Sequence, residues 1–181
     1  MITLYLIRHC QTTEGAGEST THPRNDSGLS PRGIAQAEAL AMFLADKSID
    51  LVLTSLFLRS QQTAEVTFRA RNIPSFSSMA LNEYQLRDDG SGVETTDQAT
   101  ARSMGYLYQF AQHYDCVAIV SHNALLSTMR MRLMNLPFNE STDAFASEGA
   151  CRIIRYDWKA GDQNWREAAH FAPEIPRGAL K

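Results

Sequence analysis

The chain has 181 residues, 44% hydrophobic and 20% charged, which is the size of one domain. A chain of this length buries roughly 70% of the surface its unfolded form exposes, so a disordered tail and a disulfide-stapled mini-protein are both excluded. Lys and Arg number 17 against 20 Asp and Glu, a net charge of −3. That leaves no general basic footprint for nucleic acid, although a local cluster of arginines can still hold a small anion.

The three cysteines, Cys10, Cys116 and Cys151, are an odd number. They read as no disulfide framework, which fits a reducing compartment. No apolar stretch approaches the roughly 18 residues a membrane span requires. The start, Met1 to Ile7, has neither a basic leader nor a small-residue cleavage site and runs straight into Arg8-His9, so it does not read as a signal peptide. The expectation is one soluble, cytoplasmic domain over residues 1–181 with no membrane partner.

In chain order, Thr3–Ile7 is a short apolar run that reads as a buried strand, and the polar, Gly/Ser/Thr-rich Gln11–Gly28 reads as a loop. Ser30 caps a helix with Pro31 in its first turn, and Ile34, Ala37, Leu40, Ala41 and Leu44 follow at helical spacing. Ile49–Thr54 is a second strand, followed by a helix from about Leu58 to Ala70. Ser75–Thr100 is mixed and polar. A third helix spans Ala99 to His113, Cys116–Ser121 is a third strand, and a fourth helix from Ala124 to Met134 stops before Leu136-Pro137. The tail segments Cys151–Trp158 and Trp165–Phe171, parted by Ala160-Gly161-Asp162, read as a hairpin or edge addition. Strands apolar nearly throughout are those covered on both faces. Alternation of strand and helix then implies right-handed crossovers, and the predicted fold is a three-layer α/β/α sandwich with a mostly parallel sheet.

Each apolar strand is followed by residues with chemistry. The first ends in Arg8-His9, the second leads to Ser55 and Arg59, and the third ends in Ser121-His122. Ligands of open α/β sheets bind outside the carboxyl ends of the strands, so Arg8, His9, Arg59 and His122 are predicted to converge. Singly, each has a bland reading: an arginine on a helix is commonly solvated, and a histidine at a strand end is commonly structural. Together at one sheet edge they read as an anion pocket. Two guanidiniums offer forked donors to phosphate oxygens, and an imidazole can donate or attack.

These residues carry a family resemblance. Leu6-Ile7-Arg8-His9-Cys10-Gln11-Thr12 resembles the Arg-His-Gly signature of the histidine phosphatase superfamily, the group that includes cofactor-dependent phosphoglycerate mutases. Leu29-Ser30-Pro31-Arg32-Gly33-Ile34-Ala35-Gln36-Ala37 is similar to that family's Leu-Thr/Ser-x-x-Gly-x-x-Gln-Ala helix opening, and the run from Ser55 through Arg59 and Gln62-Thr63-Ala64-Glu65 to its Ser-Pro-x-x-Arg-x-x-Gln-Thr-Ala-Glu block. Leu81-Asn82-Glu83-Tyr84 is similar to its acidic motif and Val120-Ser121-His122 to its second histidine. The resemblance implies a ping-pong phosphoryl transfer. His9 is the nucleophile, Arg8, Arg59 and His122 hold the phosphoryl oxygens, and Glu83 is acid and then base, with Asp88 or Asp89 as alternatives for that role. Gln11, Thr12 and the backbone amide of Asn123 are candidate substrate contacts, and Tyr84 and the loop to Thr96 candidate selectors.

The chain departs from the family pattern at three places: Cys10 stands for the usual glycine after the nucleophile, Gly15 for a common asparagine, and Asn123-Ala124 for Gly-Gly or Gly-Asn. A small buried residue is the bland reading of Cys10, and a reactive one the sharp reading. No cysteine has an arginine six positions on, and neither a Gly-x-x-x-x-Gly-Lys loop nor a Gly-x-Ser-x-Gly elbow is present. Two arginines at the site repel a dication, so neither metal nor cofactor is expected. The expected activity is a metal-independent phosphatase acting on a phosphorylated small molecule or phosphoprotein. The short stretch from Glu83 to His122 leaves little room for the insertion that the resembling mutases carry, so the resemblance implies a small cap insertion on the α/β/α sandwich. A mutase-type phosphotransferase and a catalytically weak phospho-ligand binding module remain the alternatives. Oligomeric state is not legible.

Overall fold

The computed structural model describes residues 1–14, 27–83, 94–137, 151–173 and 175. Its elements are β1 (Ile2–Arg8), α1 (Pro31–Leu44), β2 (Leu51–Thr54), α2 (Leu58–Phe68), β3 (Ser75–Ser77), a 3₁₀ turn at Met79–Leu81, α3 (Thr96–Ala111), β4 (Cys116–Ser121), α4 (Asn123–Met134), β5 (Ile153–Trp158) and β6 (Arg166–Phe171). One six-stranded sheet has the order β3-β2-β4-β1-β5-β6. The first four of these run parallel; β5 and β6 add antiparallel beyond β1.

The period-2 alternation of the central strands divides the interior in two. Leu4, Leu6, Leu51, Leu53, Val117 and Ile119 face α3 and α4, where Met104, Leu107, Leu126, Met129 and Leu133 meet them. Tyr5, Ile7, Val52, Ala118 and Val120 face α1 and α2, where Ala37, Leu40, Leu44, Ala64 and Phe68 close the other core. Both strand faces are therefore apolar, which is why the sequence shows continuous rather than alternating hydrophobicity.

Helix starts follow local chemistry. Ser30 accepts the Gly33 amide at 3.0 Å with Pro31 in the first turn. Thr95 and Gln98 form a reciprocal capping box for α3. Asn135 ends α4 in the left-handed region at φ 52°. The third helix starts at Thr96, earlier than its apolar spacing indicates, because this box rather than the apolar face marks its beginning.

Two features differ from the sequence reading. Ser75–Ser77, inside a stretch read as polar and irregular, is a strand. It is exposed along its length, pairs beside β2, and its Ser77 hydroxyl lies 2.8 Å from that of Thr54. A three-residue polar edge strand has no apolar period to reveal it. The expectation that the cysteines form no disulfide is also overturned: Cys10 and Cys151 are bonded, with Cα atoms 4.1 Å apart. The cause is the return of β5 beside β1. Ile7 aligns with Ile153, the Arg8 amide donates to the Arg152 carbonyl and the Cys151 amide to the His9 carbonyl. Cys116 is the free thiol, buried, its pKa pushed up to about 11 chiefly by that burial and next by Asp50.

The loop after β1 rests on α1 through a glycine. A Cβ on Gly33 would lie 2.0 Å from the Gln11 carbonyl oxygen, and that same carbonyl accepts the Ser30 amide at 3.0 Å. Alanine favours a helix over glycine by roughly 1 kcal/mol, but here the added carbon drives into fixed backbone. Gly33→Ala is expected to destabilise by about 1–3 kcal/mol net, read as a lower midpoint in urea or thermal unfolding. An unchanged or raised midpoint would show that the loop yields freely.

Candidate active site

The parallel strands β1, β2 and β4 end at one edge, and each delivers its residues there. Arg8 is the last residue of β1 and His9 follows it; Ser55 follows β2, and Arg59 lies in the first turn of α2; His122 follows β4 as the residue preceding α4. The His9 and His122 rings are 5.2 Å apart between centroids. Arg59 Nε lies 3.3 Å from His122 Nδ1, and His122 Nε2 lies 2.8 Å from Ser55 Oγ. The convergence expected from the strand ends is thus present.

Hydrogen-bond chemistry fixes both tautomers. A carbonyl only accepts, so the 2.9 Å contact between His9 Nδ1 and the Cys10 oxygen places a proton on Nδ1 and leaves Nε2 with a lone pair. Arg59 Nε–H only donates, so His122 Nδ1 accepts and its Nε2–H donates to Ser55. Electrostatics agree. Desolvation, then Arg59, then Arg8 lower the His9 pKa to about 3, against the opposing bond to Cys10. His122 is held well below its ordinary value by burial first, then by His9, Arg59 and Arg8. Two neutral imidazoles therefore stand among fixed cations.

The scaffold around these groups is specific. Cys10 N–H donates to the Thr63 hydroxyl at 3.0 Å, and that hydroxyl donates to the Arg59 carbonyl at 2.7 Å, linking the loop after β1 to α2. Phe57 stacks under Arg59, 4.6 Å from its guanidinium carbon, and meets the His122 ring edge-on at 5.0 Å. Gln11 N–H donates to Gln36, while the Gln11 side-chain oxygen accepts from Ser30. The Gln11 side chain is thus engaged with the start of α1, and Thr12 pairs with Leu29 in an isolated bridge.

Glu83 accepts the amides of Ala124 at 3.1 Å and Leu125 at 2.9 Å, so its carboxylate sits on the N-terminus of α4, one residue beyond His122 and Asn123. Its loop is held from two sides. Arg102 on α3 pairs with both Glu94 oxygens at 2.6 and 2.7 Å and donates to the carbonyls of Ala80 and Asn82. Asn82 in turn accepts the Leu56 amide at 2.9 Å. Beside Glu83 opens a pocket of about 790 Å³ lined by Phe57, Met79, Ala80, Asn82, Glu94, Gln98 and Arg102. Tyr84, Asp88, Asp89 and Gly15 lie outside the described residues. Ser55 and Phe57 were in the quoted motif without an assigned role; the strand-end position of Ser55 was the available signal. Nothing in the spacing marks Arg102. Among the described residues, no three His, Cys, Asp or Glu side chains cluster as metal ligands.

Comparison with known proteins adds the following. Residues 4–89 match the sequence model of the histidine phosphatase superfamily (branch 1). The adenosylcobalamin/alpha-ribazole phosphatase of Escherichia coli K12 is 29% identical over 196 aligned residues, covering 91% of this chain and 92% of that protein. The solved structure of a putative alpha-ribazole-5′-P phosphatase from Escherichia coli superposes with a TM-score of 0.77 at 26% identity, covering 93% of this chain and 96% of that one. A mycobacterial glucosyl-3-phosphoglycerate phosphatase in complex with VO3 has the same fold, with a TM-score of 0.77 at 21% identity over 96% of this chain and all of the other.

The depressed imidazole pKa values predict a stability profile. An unfolded chain protonates its histidines near pH 6.5, whereas folded His9 stays neutral down to about 3. Below pH 6.5 the unfolded state therefore binds more protons, so stability is complete above that value and falls as the pH drops towards 3. Melting temperatures measured from pH 7.5 to 4.5 without phosphate should fall less steeply for His9→Gln than for wild type. Parallel curves would show that His9 is not held neutral.

Proposed function

As this chain belongs to the histidine phosphatase superfamily and is a phosphoric monoester hydrolase of that type, we propose that it cleaves a small phosphomonoester through a phosphohistidine on His9, without a metal. The observation that carries this is the pair of hydrogen bonds that set the tautomers: His9 Nε2 keeps its lone pair while Arg59 and His122 stand beside it.

The site's positive charge does the work that a dication does elsewhere. A phosphoryl group placed between Arg8, Arg59 and His122 has its oxygens met by them, and these groups oppose the equatorial charge of the transferring phosphoryl. His9 Nε2 attacks phosphorus as the ester oxygen departs. The ring then carries positive charge, and the Cys10 carbonyl, already bonded to Nδ1–H, stabilises it. Glu83 passes a proton to the leaving oxygen. It then takes one from the water that attacks the phosphohistidine, which releases phosphate and restores neutral His9. The two amides of α4 occupy only part of the carboxyl group's lone-pair capacity, so an oxygen is still able to hold that proton. Asn123, first residue of α4, stands where its backbone amide faces a phosphate bound beside His122. Gln11 and Thr12 shape the loop from below.

The leaving group takes the pocket beside Glu83. Its volume of about 790 Å³ suits a small-molecule ligand, and Phe57, Met79 and Ala80 offer apolar contact with polar atoms from Asn82 and Gln98. This favours a ring-bearing phosphomonoester over a folded phosphoprotein, and alpha-ribazole phosphate is the first physiological candidate, by similarity to the Escherichia coli enzyme.

The test is hydrolysis of p-nitrophenyl phosphate between pH 5 and 8 in the presence of EDTA. Wild type should turn over undiminished by the chelator, His9→Ala should fall to background, and Arg59→Ala should lose about 10²–10³ in kcat. Acid-quench capture should find phosphate on His9. Turnover unchanged in His9→Ala would sink the mechanism.

A further inference from the structure

The residue after the nucleophile is bonded to a cysteine from the far end of the chain, and both ends of that bond touch His9. Cys10 supplies the carbonyl that holds His9 Nδ1–H at 2.9 Å. Cys151 supplies the amide that donates to the His9 carbonyl at 3.1 Å. The two residues are 141 positions apart in sequence, and both are fully buried. Cys151 also lies in the left-handed backbone region at φ 64°, which a non-glycine residue keeps only where its surroundings over-determine it. The bond to Cys10 and the hydrogen bond to His9 are two such determinants. Cys116 is buried in β4 in the other half of the sheet and takes no part.

We propose that Cys10 and Cys151 form a thiol–disulfide site that sets the competence of the nucleophile: the oxidised protein holds His9 in attacking geometry, and reduction by a dithiol releases it. This rests on the reading of His9 as nucleophile. In the reducing step the Cys10–Cys151 bond accepts two electrons and two protons from a dithiol, giving two thiols while the reductant closes to its own disulfide. Bonded sulfurs stand about 2.05 Å apart, and two thiols in a close-packed interior have to separate to non-bonded contact. Cys10 is braced by the bond to Thr63 and by the neighbouring contacts of Gln11. The separation is therefore taken up at Cys151, whose amide holds the His9 carbonyl, and this disturbs the backbone that positions the His9 ring. A misplacement of about 1 Å costs a catalytic centre up to roughly 10²-fold. Because both sulfurs are buried, exchange waits on local opening and proceeds slowly.

The experiment uses the full chain, treated with oxidised or reduced dithiothreitol and then freed of it. Thiols are counted after denaturation, p-nitrophenyl phosphate turnover is measured, and the His9 ring nitrogens are followed by ¹⁵N NMR. The oxidised protein should show one thiol and the reduced protein three. Reduction should lower kcat at least tenfold with the fold intact by circular dichroism, shift the His9 ring signals, and reverse on reoxidation. Cys151→Ala should sit at the reduced level and ignore both reagents, while Cys116→Ala should respond as wild type does. Three thiols after oxidation would overturn the proposal, as would a fully reduced protein equally active with unmoved His9 signals. A protein inactive in both states whose His9 signals still move on reduction would overturn the phosphatase reading and support the redox coupling.

Discussion

Like charges brought to one sheet edge are the constraint on which the rest of this molecule turns. Arg8, Arg59, His9 and His122 repel one another's protons, and a folded chain can hold them together only by keeping the imidazoles neutral and giving three of their four ring nitrogens a fixed partner. The carbonyl of Cys10, the guanidinium of Arg59 and the hydroxyl of Ser55 are those partners. What the partners settle is chemical as well as structural: one imidazole keeps a lone pair, the other a proton committed to serine. The parallel register of β1, β4 and β2 supplies the placement, since residues ending three adjacent parallel strands have no other edge to go to.

Glu83 shows how an acid group is accommodated in such surroundings. Held by two amides of α4, it lies against the partial positive charge of that helix start, immediately after His122. Arg102 and Asn82 fasten the same loop to α3 and to the segment leading into α2. Glu83, His122 and the pocket beside Glu83 thus share one mechanical frame, and a movement of the Met79–Leu81 turn would reach all three.

Much of this was legible in the sequence because buried parallel strands announce themselves by unbroken apolarity. Cys116–Ser121 is the same strand in sequence and structure, and the residues after each strand pointed to one sheet edge, where the structure brings His9, Arg59 and His122 together. What stayed hidden depends on partners distant in the chain. β3 is polar and three residues long, so no periodicity marks it. The roles of Phe57 and Arg102 arise from packing against elements that spacing does not connect. The disulfide requires the register of β5 on β1: until Ile153 is set against Ile7, nothing brings Cys151 to Cys10. An odd cysteine count concealed the pair because the third cysteine is a buried strand residue.

The two margins of the sheet have a consequence for the protein in concentrated solution. Any sheet that ends in open strands offers unpaired amides and carbonyls to a neighbour, a template for edge-to-edge growth. Here one margin is β3, too short at three residues to nucleate much pairing. The other is β6, where Arg166, Glu167 and His170 interrupt the run, with Glu167 engaged by Arg130 and His170. The four apolar inner strands are thereby closed off by a stub on one side and a charged border on the other, and strand-by-strand aggregation is opposed at both margins of the sheet.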